Sequence, residues 1–356
     1  MRTNFFDSDR NAATSSVTRT TACIMVLMSM VLACGCSGMG GKGKEAVKLR
    51  GQAQGTYYSI TYYDDKNRDF QSEIDSLLKE FDMTASLWEE KSLLRRVNDN
   101  SDSVVNEDFA QLVEMSREMH DYSEGAFDCT VGKLVNAWGF GFSKREEMSD
   151  AVIDSLLQYV GAQPEIVRGE DGRIIVRKAS PESTIDFNAI AQGYSTDMIC
   201  RFLESKGIES YIVDIGGEVY AKGTKPDGSE WKVGIERPAK NKYSSPEVET
   251  TISLRDRAVV TSGNYRKYYE KDGVRYSHTI DPSTGRPVTH TLLSVTVVDV
   301  STWRADALAT AFMVMGMEKA KEFIARHPDD SMEKVIFIYS EGEGYRMWEF
   351  VNEGMC

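Results

Sequence analysis

Apolar positions along this chain switch between two periods. Over 55–63 they alternate and are often aromatic, which predicts a strand. Over 70–87 the spacing becomes helical, with Ile74, Leu77, Leu78 and Phe81 on one face. Further helices are predicted over 108–122, over 150–160, where Gly161 closes the run, and over 190–206, where Gly207 does. Residues 125–141 read as a Gly-punctuated loop with a helical turn. Two short apolar runs, 166–168 and 173–177, flank Asp171-Gly172, a hairpin signal. Strands then crowd together near 210–214, 218–223, 231–235, 250–254, 258–262, 274–280 and 293–299. A helix over 303–316, a shorter one over 318–326 and a strand near 334–339 follow. Residues 237–249 carry two prolines with Lys and Ser, and predict an exposed loop. Helices and strands mix without a βαβ rhythm, so the predicted class is α+β. No internal repeat is evident.

The first 49 residues follow a different pattern. Arg2, Arg10 and Arg19 precede an apolar run over 22–33 that breaks at Cys34-Gly35-Cys36-Ser37-Gly38. A run of about 12 residues is too short to span a bilayer and suits the hydrophobic segment of a signal peptide. Val31-Leu32-Ala33-Cys34 looks like a lipobox. The expectation is a signal peptide over 1–33, a lipidated Cys34 at the outer face of the bacterial inner membrane, facing the periplasm, and a lipid-anchored tether over 34–49. Cys36 is a weaker competitor for the anchor, and the stretch before the apolar run is longer than usual. The main domain is expected over 50–350, with a tail over 351–356.

Composition narrows the partners. At 41% hydrophobic residues, 356 residues can build a large core. Residues 1–44 hold five Lys or Arg and two Asp or Glu, so the remainder carries 37 cationic and 53 acidic side chains, near −16. That balance argues against nucleic acid. An anionic ligand must be met by local donors or a metal. Cys129, Cys200 and Cys356 form no Cys-x-x-Cys pair, which argues against a disulfide framework and against zinc, and they read as structural or incidental.

The candidate chemistry lies mainly in 276–310. Asp306 and Thr310 are four apart in an Ala- and Leu-rich segment, so on a helix they share one face. A carboxylate and a hydroxyl offer oxygen ligands to Mg²⁺, although such residues are also common as helix-dipole and packing residues. His278 ends a predicted strand before a sharp turn at Asp281-Pro282 and Gly285, a setting for an imidazole that is structural or catalytic. Neither Gly-x-Gly-x-x-Gly after the first strand nor a P-loop is present, so no familiar phosphate cradle exists. Residues 186–190, Asp-Phe-Asn-Ala-Ile, are expected where a strand becomes a helix. Unpaired backbone groups at such a junction can take a cation or face phosphate.

Three blocks in order resemble the FAD:protein FMN transferases, the ApbE type. They are 123–141 (Ser-Glu-Gly-Ala-Phe-Asp-Cys-Thr-Val-Gly-Lys-Leu-Val-Asn-Ala-Trp-Gly-Phe-Gly), 185–194 (Ile-Asp-Phe-Asn-Ala-Ile-Ala-Gln-Gly-Tyr) followed by Val-Asp-Ile-Gly-Gly-Glu at 213–218, and 276–310. Shorter matches lie at 231–238 and 81–98, and the resemblance covers about 50–350. It implies two interlocked α/β subdomains with a flavin-nucleotide cleft between them. It also implies Mg²⁺ held by the Ala189 carbonyl, Asp306 and Thr310, and FAD lined by Gln54, Trp88, Ala126, Phe127, Asp128, Asp186, Gln192 and Ile280. For Trp88 and Phe127 core packing is the competing reading. Gln192 departs from a usually charged position and Cys129 from a usual proline.

The implied reaction is attack by a Thr or Ser hydroxyl of an exported or membrane-bound flavoprotein on the riboflavin-side phosphorus of FAD. AMP leaves and FMN stays attached through a phosphoester. His278 is the expected proton acceptor or charge stabiliser, with Asp306 as a second candidate. Two rival readings remain: a Mg²⁺-dependent FAD pyrophosphatase, and a non-catalytic FAD-binding lipoprotein.

Overall fold

A computed structural model describes residues 45–141, 146–238, 247–264, 268–271, 274–328, 331–342 and 344–354. Its centre is an eight-stranded antiparallel sheet whose spatial order follows the chain: Ala46–Ala53, Thr56–Tyr63, Tyr211–Ile215, Glu218–Lys222, Arg257–Gly263, Leu292–Asp299, Lys334–Glu341 and Gly344–Val351. The class is the α+β expected from the sequence. The first strand, with Leu49 buried, starts four residues before the boundary expected at 50. The last strand, absent from the sequence reading, alternates exposed and half-buried residues at the sheet's edge.

Alternation sets the two faces of the sheet. In Thr56–Tyr63 the residues Tyr58, Ile60 and Tyr62 point into one core. In the strand beside it, Val213 joins that core while Ile212 faces the opposite one. One face carries the helices Gln71–Ala85, Ala191–Ser205 and Thr302–Arg326. The other is covered by the hairpin Trp231–Glu236/Val248–Leu254, which buries Trp231, Ile235, Ile252 and Leu254 against it.

A second layer is built from the helix Glu107–Tyr122 and a small sheet of Val104–Val105, Ile174–Arg177 and Glu165–Arg168. Its Phe109, Val113 and Val176 share one core with Phe312, Phe323 and Phe337 of the main sheet layer, so the two parts interlock. Burying one such phenylalanine stabilises the fold by roughly 2–3 kcal/mol.

The predicted pair of helices over 303–326 is one run interrupted at Gly316, whose φ of 72° and ψ of 169° are non-helical. The break leaves the Met313 carbonyl to accept from His290 Nε2 at 2.7 Å. The strand expected over 274–280 is likewise divided. It runs over Val274–Ser277, bends at His278–Thr279 and resumes at Ile280–Asp281. No continuous strand precedes 186–190 either. Thr184 makes only an isolated bridge to Val131, so the turn that starts the helix Ala191–Ser205 follows irregular chain.

Candidate active site

The strand register brings two tight turns to one end of the sheet. Gln54-Gly55 is a two-residue hairpin loop with φ of 53° and 72°, the left-handed pair that matches the twist of the flanking strands. Gly216-Gly217 is a second, with φ of 71° and 112°. Tyr58 pairs with Ile215 and Gly216 N–H donates to the Tyr57 carbonyl at 3.0 Å, so the two loops lie side by side. The first turns of the helix Ala191–Ser205 sit on them. Gln54 Nε2 donates to Ser195 Oγ at 2.7 Å, and Gln54 Oε1 is buried with no hydrogen-bond partner. Gln192 lies over the second loop, where a Cβ added at Gly216 would meet its Nε2 at 2.6 Å.

From that helix the structure reaches Asp306. Gly193 lies in the first turn of its helix, where backbone N–H groups have no acceptor within the helix. It donates to Asp306 Oδ2 at 3.0 Å, while the Ala189 carbonyl stands just before the helix, outside its hydrogen-bond ladder. Asp306 Oδ1 accepts no hydrogen bond, and the residue is buried. Burial, with Asp197 as a neighbouring like charge, pushes its carboxyl up to about 7. A cation would reverse that shift. Thr310, one turn further along the same helix, has its Oγ1 3.3 Å from Ser262 Oγ. Ser262 lies three residues beyond Val259, which pairs with Val219, so it too is past the Gly216-Gly217 loop.

His278 approaches from the same side. Its neighbour Thr279 donates through Oγ1 to Asn264 Oδ1 at 2.8 Å, and Asn264 is two residues beyond Ser262. The imidazole sits edge-on to Phe140 with ring centres 6.5 Å apart. Asp281, in contrast, is spent on its turn, where Oδ1 accepts from Ser283 N–H at 2.8 Å and Ser283 Oγ at 2.7 Å.

The remaining expected residues separate into three kinds. Trp88 is 61% exposed, so its indole face is open for stacking and core packing does not use it. Phe127 is buried in the main core and Ile280 in a small one with Leu134, Trp138 and Ile153, so packing explains both side chains. Ala126 is half-buried beside them. Asp128 and Asp186 fasten backbone. Asp128 Oδ1 accepts from Thr130 N–H at 2.7 Å, Thr130 Oγ1 at 2.6 Å and Gln163 Nε2 at 2.8 Å. Asp186 Oδ1 accepts from Asn188 N–H at 2.8 Å, and burial pushes that carboxyl up to about 6. Cys129 and Cys200 are free and buried, as a structural role requires, and burial pushes both thiols up. Cys34 lies outside the described residues.

Among the described residues no group of three or more His, Cys, Asp or Glu side chains could hold a metal ion. A cation site here must rest on backbone and hydroxyl oxygens around one carboxylate. The Asp306 carboxylate, the Ala189 carbonyl and the Thr310 hydroxyl are hard oxygen donors of the kind Mg²⁺ takes. Sequence reasoning missed Gly193 and Asp197. The sequence shows only that the two are four residues apart, on one face of a helix; that this face meets Asp306 comes from the packing.

The model of the ApbE family matches residues 54–335. This chain belongs to the ApbE family. Curated relatives in the family include the FAD:protein FMN transferase of Vibrio cholerae serotype O1, 38% identical over 305 residues, 83% of this chain and 88% of the relative. Another is that of Escherichia coli K12, 35% identical over 312 residues, 85% and 87% of the two chains. Solved structures of the family share the fold. The apo flavinyl transferase ApbE of Pseudomonas stutzeri superposes with a TM-score of 0.74 at 32% identity, covering 87% of this chain and 96% of that one. The Vibrio cholerae flavin transferase ApbE gives 0.73 at 35% identity, covering 88% and 98%.

Proposed function

We propose that this chain transfers the FMN half of FAD to a Thr or Ser hydroxyl of a partner flavoprotein, with Mg²⁺ as the cation. The observation that carries the reading is the joint at Gly193: its N–H fastens Asp306 to the start of the helix that follows the Ala189 carbonyl. Family membership supports the reaction class, since the relatives are FAD:protein FMN transferases.

In this reading the acceptor hydroxyl oxygen forms a bond to the riboflavin-side phosphorus. The bond from that phosphorus to the bridging oxygen breaks, and AMP departs with that oxygen. The hydroxyl proton passes to His278. His278 suits this role better than Asp306, because Asp306 is buried and already holds Gly193. Asp306, the Ala189 carbonyl and Thr310 would hold Mg²⁺, which when bound offsets charge on the pyrophosphate oxygens. Trp88 offers its exposed face to a flat ring, and Gln192 and Gln54 offer amides at the helix start.

A bound acceptor segment has a proximity advantage over free water, so transfer exceeds hydrolysis. The decisive experiment is intact-mass analysis of a co-expressed acceptor domain, with AMP and free FMN quantified in parallel. An acceptor heavier by one FMN supports the reading. AMP matched by free FMN, with several candidate acceptors unmodified, would mean a pyrophosphatase. The apolar run ending in Leu-Ala-Cys further supports a lipid anchor at Cys34 on the periplasmic face of the inner membrane. Cys34→Ser then yields a soluble or unprocessed protein, and a normally processed membrane form sinks that assignment.

A further inference from the structure

We propose that Asp197 is a positioning residue for the cation site: it sets Asp306 and Thr310 in place by capping their helix from the neighbouring one. The inference rests on the reading above, in which Asp306 holds Mg²⁺.

The helix Thr302–Arg326 begins without a cap of its own. Ser301 occupies the N-cap position, but its side chain makes no capping bond, and the first turn has no acidic residue. The cap comes from another element. Thr302 N–H donates to Asp197 Oδ1 at 3.0 Å and to Oδ2 at 3.1 Å, and Trp303 N–H donates to Oδ2 at 3.0 Å. Both carboxylate oxygens are thereby committed to backbone, so Asp197 itself is not available as a ligand.

One turn earlier on the same helix face, Gly193 sends its N–H the other way, to Asp306 Oδ2 at 3.0 Å. The joint therefore has two fasteners of opposite direction. One bond alone would let the Asp306 helix pivot. Two, a turn apart, fix both its rotation and its slide against the turn that carries the Ala189 carbonyl. Contact is close enough for this because position 193 lacks a side chain. A Cβ there would meet the Thr302 carbonyl oxygen at 2.6 Å, Trp303 Cα at 2.7 Å and Asp306 Cβ at 2.8 Å.

The arrangement is an expensive way to cap a helix. Asp197 is buried and lies near enough to Asp306 for the two like charges to oppose each other. An Asp at 301 would cap the same helix start, through the N–H groups of Trp303 or Arg304, without that repulsion. What the local cap would not supply is the tie between helices, and that tie is what Asp197 adds.

The test is calorimetric titration of the intact protein with Mg²⁺, with and without FAD, alongside thermal melting. Asp197→Ala is expected to weaken Mg²⁺ binding by about tenfold or more, in the range typical of residues that orient metal ligands. Asp197→Asn keeps an oxygen acceptor but loses the charge, and is expected to stay within about threefold of the wild type, on the same scale. Adding Ser301→Asp to Asp197→Ala should recover the melting temperature but not the affinity. Wild-type affinity in Asp197→Ala overturns the proposal, and so does recovery of affinity together with melting temperature, since Asp197 is then only a helix cap. An Asn variant as weak as the Ala variant assigns the effect to charge and also overturns it. If the Ala variant does not fold, the Asn variant carries the test: affinity within threefold, with catalytic turnover normal at saturating Mg²⁺, supports positioning, and anything weaker does not. A wild type that binds no Mg²⁺ under either condition defeats the cation site first and this inference with it, whereas a binding wild type isolates the role of Asp197.

Discussion

Two regions of this molecule bury an aspartate that the family resemblance assigns to the active site, and they treat it differently. In the 123–130 loop, Asp128 Oδ1 collects three neutral donors from Thr130 and Gln163, while its other oxygen is buried without a hydrogen bond, 3.6 Å from His120 Nδ1. At the helix joint, Asp306 receives a single N–H from Gly193. Each carboxylate has one oxygen without a donor, so donor count alone does not separate them. What differs is the setting: Asp128 holds its own loop together and faces His120, whereas Asp306 joins two helices and shares a helix face with the Thr310 hydroxyl.

The sharpest way to break this comparison is to truncate the carboxylate at the helix joint. Asp306→Ala is expected to lower Mg²⁺-dependent turnover by at least about a hundredfold, because it removes the single anionic ligand of the proposed set. The fold should survive, since the change also removes a buried charge. Asp128→Asn, measured alongside, should leave the Mg²⁺ requirement unchanged. Wild-type turnover of Asp306→Ala at limiting Mg²⁺, or an equal shift in both variants, would end the distinction.

The joint can be opened instead of emptied. Gly193→Ala places a methyl group against backbone atoms of Thr302 and Trp303 that cannot step aside, so the helices must part. Overpacking of this kind costs about 1–3 kcal/mol. Melting temperature and Mg²⁺ affinity should fall together in this variant. Loss of stability with unchanged Mg²⁺ affinity would show that the cation does not depend on the joint.

Proton competition gives a third measurement. In the metal-free protein the Asp306 carboxyl is pushed up to about 7, above the ordinary carboxylate value it takes when unfolded. Between about pH 4 and 7 the folded state therefore binds more protons than the unfolded state. This contribution to stability falls as pH rises through that window and levels off above it. Mg²⁺ needs the ionised form, so its apparent affinity should weaken by up to about tenfold per pH unit below 7. Titrations at pH 6 and 8 that give equal affinity would place the cation on other groups.

How much of this could be read from the chain follows from the range of the forces involved. The Asp306–Thr310 spacing and the Gly316 break are local, and the sequence displays both. The hairpin at Asp171-Gly172 was legible from the glycine, whose φ is 79°, whereas the turn at Gln54-Gly55 was not, because its first strand, Ala46–Ala53, went unread. The edge strands were not. Gly344–Val351 mixes Arg346, Glu349 and exposed Met347 because one of its sides meets solvent, which blurs the alternation. Nor could spacing reveal that Gly193 and Asp197 each bond a residue more than a hundred positions away, since only the packed helices bring those groups into register. Phe127 was undecided between flavin and core for the same reason, and the packed core claims it.

The smallest expected effect concerns Gln192. The resemblance implies a charged side chain at this position, which lies at the start of the helix that delivers Gly193. Its Nε2 lies over Gly216, at the turn where Glu218 Oε2 also approaches. Gln192→Lys brings a cation to the helix start, where the backbone already favours anions, and a part-exposed charge of this kind adds on the order of 1 kcal/mol to pyrophosphate binding. The nearby Glu218 carboxylate competes for the same ammonium, so the net gain should stay near or below that figure, no more than about fivefold in FAD affinity. The gain should also shrink at high salt, as a charge effect must. Titration of FAD into both forms at two salt concentrations decides it. Tighter binding that salt does not weaken would point to repacking over Gly216, and unchanged or weaker binding would mean that this side chain points away from the phosphates.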